Sequence, residues 1–479
     1  MNKLLLLALC PMIIALLGLV PRTARWLPKI AAVLMIIQLP IVGWLCSLIA
    51  KGEMLAYGPF VMDGIGTAFT VITTLVAVTS MIQAAMILPA ERIMENPRMT
   101  DRRFTLFYTL SALFILTMYA VPLATHLGYL WIMIEATTLM SAPLIDYHRS
   151  RGALEATWKY LLLCSVGIAF ALFGTMLIFA SQHGLPGGGT MIFNHMIKQA
   201  QAFDPRLLRL GFVFCLLGYG TKAGIFPLHN WLPDAHSEAP STVSALLSGA
   251  LLNCALVAIW RLSQVMLASS QAALVHQLLV PAGAITVIAA SLMLVSQHDL
   301  KRMLAYSSVE HIGLLTLAIG IGSGPVFILQ AFNHSIVKVA FFLLAGNILY
   351  LSGTKLLSKL SGILKTVPLW GILLTVAAFA IAGSPPFGVF ISEWLLLSKT
   401  FAAKEWLAAI MVIVGLTVTF IAISTHIGQV LFGKKINPLR SAPVWGWAIV
   451  PMSLLLISLL AGVSVTPSVM NMLTNLVNR

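Results

Sequence analysis

A chain of 479 residues would suggest about three soluble domains, but its composition excludes them: 59% of residues are hydrophobic and 9% charged, against roughly 25% charged in ordinary globular proteins. The 29 basic and 15 acidic side chains are too few to cover so much apolar surface with polar groups. The formal charge of +14 therefore does not indicate a nucleic-acid binder, and fibrous, disordered and disulfide-stapled classes are excluded too. The sequence reads as an all-α polytopic membrane protein.

A helix needs about 20 apolar residues to cross the hydrocarbon layer. On that measure fourteen candidate spans follow in order, near 3–20, 28–50, 64–89, 104–122, 125–146, 157–181, 207–230, 240–262, 275–297, 303–321, 325–350, 368–397, 402–432 and 444–465. Met1–Val20 has no convincing small-residue cleavage site and is expected to remain as the first span. Short connections carry the breakers Pro21, Pro28, Pro97, the 184–189 glycine stretch, Pro205 and Pro438, so one membrane domain is expected. Most basic residues lie in odd-numbered connections, among them Arg22, Arg25, Arg92, Arg98, Arg102, Arg103, Lys301, Arg302, Lys355, Lys434, Lys435 and Arg440. By the positive-inside rule those connections face the cytoplasm and both termini face away from it. Anionic lipid headgroups account for the basic excess.

Cys10, Cys46, Cys164, Cys215 and Cys254 each lie in an apolar run without a CxxC or Cys/His spacing, which indicates neither a disulfide framework nor a metal site. No P-loop, dinucleotide-binding glycine motif, HExxH or nucleophile triad occurs.

Charge inside the bilayer costs about 2.5–3.5 kcal/mol per residue even on the lenient insertion scale, so it marks function by default. Four such residues stand out: Glu135 in span 5, Lys222 in span 7, Lys338 in span 11 and Glu393 in span 12. Span 7 reads Gly220-Thr-Lys222-Ala-Gly224-Ile-Phe-Pro227, and His229 and His236 follow. Span 12 reads Gly383-Ser-Pro385-Pro386-Phe-Gly388 ahead of Glu393. Proline and glycine interrupt both helices, and broken helices at mid-membrane are a recurring device for ion sites. Between them, His334 and Lys338 stand four apart on one helix face. Span 10 adds Tyr306, Ser307, Ser308, Glu310 and His311. Such groups suit proton relay, because burial lowers a lysine pKa and raises a glutamate pKa while a nearby opposite charge opposes both. Histidine titrates near neutrality unaided.

At these residues the chain resembles the antiporter-like, proton-translocating subunits of respiratory complex I, multi-subunit Na⁺/H⁺ antiporters and membrane-bound NiFe hydrogenases. The matching segments are Leu130-Trp-Ile-Met-Ile-Glu135, Gly220-Thr-Lys222 with Phe226-Pro-Leu-His229-Asn-Trp-Leu-Pro-Asp-Ala-His236, Asp299–Ser308, and His334 with Lys338. Glu393 stands where members carry lysine or glutamate. Glu135-Ala-Thr-Thr-Leu, Trp158–Gly167 and Ser307-Ser-Val-Glu-His311 are most similar to the antiporter-like subunit of hydrogenase-4-type complexes.

The resemblance implies N-terminal helices 1–3 over 1–103, two inverted five-helix repeats over 104–262 and 275–432, and a last helix at 444–465. Each repeat would hold a half-channel, with Lys222 the central switch, Glu135 its counter-charge, and His334, Lys338 and Glu393 completing the relay. His229, His236, Ser248, Asn253, Tyr306 and His311 would line the polar axis. It implies no cofactor in this chain. Iron–sulfur and NiFe or other centres belong to partner subunits, membrane and peripheral, of a respiratory or hydrogenase-type complex in the inner membrane. One departure stands out: where relatives offer a span-8 lysine or histidine, this chain has Ser244–Ser248 and Asn253. A Na⁺/H⁺ antiporter subunit and a non-transporting scaffold for a redox or carbon-uptake module are the alternatives.

Overall fold

The computed structural model describes residues 3–94, 100–185, 188–433 and 445–477. Pro97, Arg98, Gly187, Lys434, Lys435, Pro438 and Arg440, used above for connections or orientation, lie outside the described residues.

The chain is almost wholly helical. The helices are α1 Leu6–Gly18, α2 Leu27–Ala50, α3 Gly64–Met94, α4 Asp101–Leu123, α5 Leu127–Ile145, α6 Arg151–Ala180, α7 Phe193–Gln199, α8 Pro205–Ala223, α9 Trp231–Glu238, α10 Ser241–Leu246, α11 Leu252–Leu267, α12 Ala273–Val295, α13 Leu300–Gly320, α14 Gly324–Ser352, α15 Ile363–Thr366, α16 Pro368–Ile381, α17 Gly388–Ala402, α18 Trp406–Leu431, α19 Gly446–Ser464 and α20 Pro467–Val477. A two-strand hairpin, β1 Ala56–Tyr57 against β2 Phe60–Val61, joins α2 to α3. Helix dominates because a helix satisfies its own backbone where no water can.

Among the described residues, eleven helical segments are long and apolar enough to cross a membrane, which makes the chain a multi-pass membrane protein. Lys3–Gly18 and Pro368–Ile381 are shorter apolar helices. The eleven include neither α8 nor α17, the helices that bear Lys222 and Glu393.

Helix starts follow from caps in the sequence. The Ser150 hydroxyl accepts from Ala153 N at 2.9 Å. Asp204 accepts from Arg206 N and Leu207 N, each at 2.9 Å, and Asp299 from Lys301 N at 2.8 Å and Arg302 N at 3.0 Å. Such acceptors satisfy the orphan amides of the first turn.

Both expected interruptions are present. Helix α8 stops at Ala223, and Gly224, at φ 84°, returns its amide to Gly220 and Thr221. That left-handed cap is open to glycine at little cost. Irregular chain with a cis Phe226–Pro227 bond leads into α9. Helix α16 stops at Ile381, and the segment Ala382–Phe387, with a cis Pro385–Pro386 bond, precedes α17.

The deepest elements are α10–α11, α13 and α14, which are buried nearly throughout, whereas α2, α6, α18 and α19 keep a broad face outward. Polar side chains on α13 and α14 therefore meet protein rather than lipid. Close packing comes from small residues, as is usual between membrane helices. A Cβ at Gly218 of α8 would lie 2.4 Å from the Gly167 carbonyl of α6, so these helices touch backbone to backbone just below Lys222.

Candidate functional site

Lys222 sits fully buried in the last turn of α8, where the carbonyl end of the helix dipole favours a cation. Its ammonium donates to the Thr138 hydroxyl at 2.8 Å and the Tyr160 hydroxyl at 2.6 Å. The same ammonium lies 4.5 Å from the Tyr160 ring centroid, a cation–π distance. Thr138 in turn donates to Glu135 Oε2 at 3.3 Å, and Ser165 to Glu135 Oε1 at 3.2 Å. The expected charge pair is thus indirect, with one threonine hydroxyl between the ammonium and the carboxylate. Ser141 donates to the Thr137 carbonyl at 2.6 Å, so in its 2.7 Å contact with Tyr160 the tyrosine hydroxyl is the donor. Trp231, the first residue of α9, ties the interruption shut by donating its indole N–H to Thr221 O at 2.7 Å.

The second cluster lies on α13, α14 and α17. Lys338 donates to Leu304 O at 2.9 Å and to the Ser307 hydroxyl. His334, one turn earlier, has neither ring nitrogen bonded to protein among the described residues, and its ring centroid is 5.0 Å from that of His311. Gln330 donates its amide to His311 Nδ1 at 2.9 Å. That assignment leaves the proton on Nε2, which faces Ile381 O at 3.3 Å, the last carbonyl of α16. Glu393 is buried against the other side of the same interruption: a Cβ on Gly383 would lie 2.0 Å from its Oε2. Asn333 donates to Gly388 O at 2.7 Å and to the Ser392 hydroxyl at 3.2 Å, fixing the start of α17.

Helix α11 packs against α8 on one side and α13 on the other, and so spans the two clusters. Ahead of it, Leu247–Leu251 forms one π-helical turn, a local widening common at functional sites. Ser248 in that turn meets Ser308 of α13 at 2.9 Å, and Asn253 donates to Ser335 of α14 at 2.8 Å. Hydroxyl and amide groups thus occupy the region where the resemblance implies a lysine or histidine.

The other expected residues are more loosely placed. His229 Nδ1 has no protein partner among the described residues, and the ring lies 6.1 Å from that of half-buried Tyr306. His236 is fully buried and stacked on Phe342 at 5.1 Å, with neither nitrogen bonded among the described residues. Buried polar atoms without protein partners are commonly met by ordered water.

A charged collar surrounds the end of α9. Lys355 donates to Ser237 Oγ at 2.7 Å and Glu238 Oε1 at 2.6 Å, and lies 3.5 Å from Asp299. Lys159 and Arg302 hold Asp234 at 3.1 and 2.9 Å, and the buried ammonium of Lys301 donates to Ala239 O. Glu238 lies in the connection between spans 7 and 8. Partial burial pushes its carboxyl up, but Lys355 outweighs this and holds it below the usual range.

Thr138, Tyr160 and Lys301 are not among the expected site residues. Thr138 lies three residues after Glu135, on the same face of α5, so spacing alone could have found it. Tyr160, two helices from the lysine it holds, carried no such signal.

With this geometry in view, the family model described as NADH:quinone oxidoreductase/Mrp antiporter, TM, matches residues 124–421. That stretch runs from just before α5 into α18 and contains every residue of both clusters. The chain belongs to this family. It is 36% identical over 415 residues to the hydrogenase-4 component F homolog of Methylacidiphilum infernorum, with 86% of each chain covered. It is 31% identical over 318 residues to the F(420)H(2) dehydrogenase subunit M of Methanosarcina mazei, covering 64% of this chain and 61% of that protein. In fold it is similar to a chain of the membrane-bound sulfane sulfur reductase, an archaeal respiratory membrane complex. The TM-score there is 0.87 at 23% identity, over 98% of this chain and 96% of the other.

Proposed function

We propose that this chain is the proton-translocating, antiporter-like subunit of a multi-subunit membrane redox complex of the hydrogenase-4 or complex I type. The observation that carries the proposal is the Lys222–Thr138–Glu135 connection at the end of an interrupted helix. An ammonium held by hydroxyls beside a carboxylate can exchange protons without being locked into a direct ion pair. Electron transfer takes place in partner subunits, membrane and peripheral, that hold the iron–sulfur and NiFe or other centres. This chain carries the ion.

In this reading the chain has fourteen spans, the two interrupted ones being 207–230, which holds most of α8, and 368–397, which holds α16 and most of α17. The segments 104–262 and 275–432 are two inverted five-helix repeats, between N-terminal helices over 1–103 and a last helix at 444–465. Both termini lie on the non-cytoplasmic side, and the charged collar faces the cytoplasm, as the basic bias of the odd-numbered connections requires. Glu135 and Lys222 form the relay of the first repeat, His334, Lys338 and Glu393 that of the second. Ser248 and Asn253 link them, with His229, His236, Tyr306 and His311 lining the axis.

The experiment is redox-driven proton translocation by the purified complex in sealed vesicles, with and without sodium. Translocation independent of sodium is expected. Sodium-dependent proton flux without a redox substrate selects a Na⁺/H⁺ antiporter subunit instead, the second reading the family description supports. Assembly without any ion movement selects a scaffold.

A further inference from the structure

Glu310 is an acid that the two clusters leave unused. It lies on α13, is 1% exposed, and neither carboxylate oxygen makes a close hydrogen bond among the described residues, the Thr419 hydroxyl of α18 standing beside it as a donor. Burying a carboxylate without hydrogen bonds costs several kcal/mol or more as an anion, so a glutamate here calls for a reason that a packing residue would not supply.

Its position gives that reason. Ser307, which accepts from Lys338, is three residues before Glu310. At 1.5 Å rise per residue the two are about 4.5 Å apart along the axis and share one helix face. His311, the next residue, reaches Ile381 O at the end of α16. Glu393 approaches the same interruption two residues further on, at Gly383. Glu310 thus lies one turn along α13 from Ser307, which holds the lysine, and next in sequence to His311, which reaches the interruption that cradles Glu393. Nothing else in α13 offers an acid there.

We propose that Glu310 is a further proton-carrying residue, standing between Lys338 and Glu393 in the second half of the chain. The proposal rests on the pumping reading above. In the forward step an N–H bond of the Lys338 ammonium breaks and an O–H bond forms on the Glu310 carboxylate, by way of water. Lys338 becomes a neutral amine and Glu310 a neutral carboxyl group. In the next step that O–H breaks, the proton passes through water to the Glu393 carboxylate, and Glu310 returns to its anionic form. No electron moves in either step.

The test uses the assembled complex in vesicles, with Glu310→Gln, Glu310→Asp and Lys222→Ala measured side by side. Glu310→Gln keeps the shape and removes the exchangeable proton; the expected result is intact assembly with protons moved per electron reduced at least several-fold. Glu310→Asp is expected to restore most of the loss. A carboxyl band that changes during turnover in infrared difference spectra should vanish in the Gln variant and persist, shifted, in the Asp variant. A residue that only positions Lys338 would move no such band. Wild-type pumping by Glu310→Gln, or an unchanged carboxyl band, overturns the proposal. If Glu310→Gln does not assemble, Glu310→Asp decides: a shifted band supports the assignment and an unshifted one refutes it. When Lys222→Ala stops pumping and Glu310→Gln does not, this inference alone fails. When both pump normally, the reading that this chain carries the protons itself fails.

Discussion

The Lys222 ammonium donates to the Thr138 hydroxyl at 2.8 Å, and through that one side chain it meets Glu135. The threonine separates two charges that a direct ion pair would hold together. A buried pair broken at one partner leaves an uncompensated charge and costs 3–5 kcal/mol, which would make a poor switch. A hydroxyl that accepts from the amine and donates to the acid lets either change protonation while the other keeps a partner.

Thr138→Val keeps the shape and removes this link. The variant is expected to lose about 1–3 kcal/mol of stability, the usual cost of a buried donor left unpaired. It should also erase the coupling between sites. Glu135→Gln placed on Thr138→Val should then lower pumping no further than Thr138→Val alone, a non-additive pair in a double-mutant cycle. Strictly additive losses would place the Glu135 effect on another route.

Gly383 is both left-handed, at φ 65°, and in contact with Glu393. Gly383→Ala adds about 1–2 kcal/mol of backbone strain and displaces the carboxylate. Pumping should fall to the level of Glu393→Gln. Gly428→Ala on α18, where a Cβ meets nothing within 4 Å, is the control and should pump normally. Equal pumping by both alanine variants would dissociate Glu393 from function.

Ser248 and Ser308, 2.9 Å apart, join the π-helical turn ahead of α11 to α13. Ser248→Ala and Ser308→Ala should each slow pumping by a similar factor with assembly intact, and the double variant should be no slower than either. Unchanged rates in all three would remove this contact from the proton route.

Glu238 sets an acid limit on the collar. Its folded-state pKa is depressed because Lys355 outweighs partial burial. Such an acid contributes stability in full above its unfolded value of about 4.3, and the contribution is lost as pH falls through the folded value. Its pair with Lys355 is partly exposed, so the loss should be about 1 kcal/mol or less. Glu238→Gln should lower the melting temperature of the detergent-solubilised protein near neutral pH and flatten its dependence on pH below about 4. An identical pH profile in the variant would contradict the assignment.

Much of this was legible in the sequence because the bilayer is a strict solvent. It demands long apolar runs, so 325–350 was placed within two residues of α14 at either end. Glycine and proline cannot continue a helix unnoticed, so both interruptions were visible, and so were the charges beside them. What escaped depended on contacts between distant segments. Nothing near Lys222 in sequence announces Tyr160, which reaches it through the tertiary packing of α6 on α8 at Gly167 and Gly218. The surroundings of Glu310, Thr419 of α18 among them, are equally invisible from sequence. Lys301 and Lys355 mark orientation in the sequence, and the contacts they make are not visible there: one is buried on Ala239 O and the other binds Glu238 and Ser237. The short helices α7 and α20 fall outside the expected spans, where apolar length gives no signal.

The central claim is that protons pass by way of Lys222. The most direct measurement compares protons translocated per electron in vesicles containing the wild-type complex and the assembled Lys222→Ala complex. Loss of translocation, with the partner subunits still bound and their redox chemistry still active, is the predicted result. Wild-type proton translocation in the variant would contradict the account.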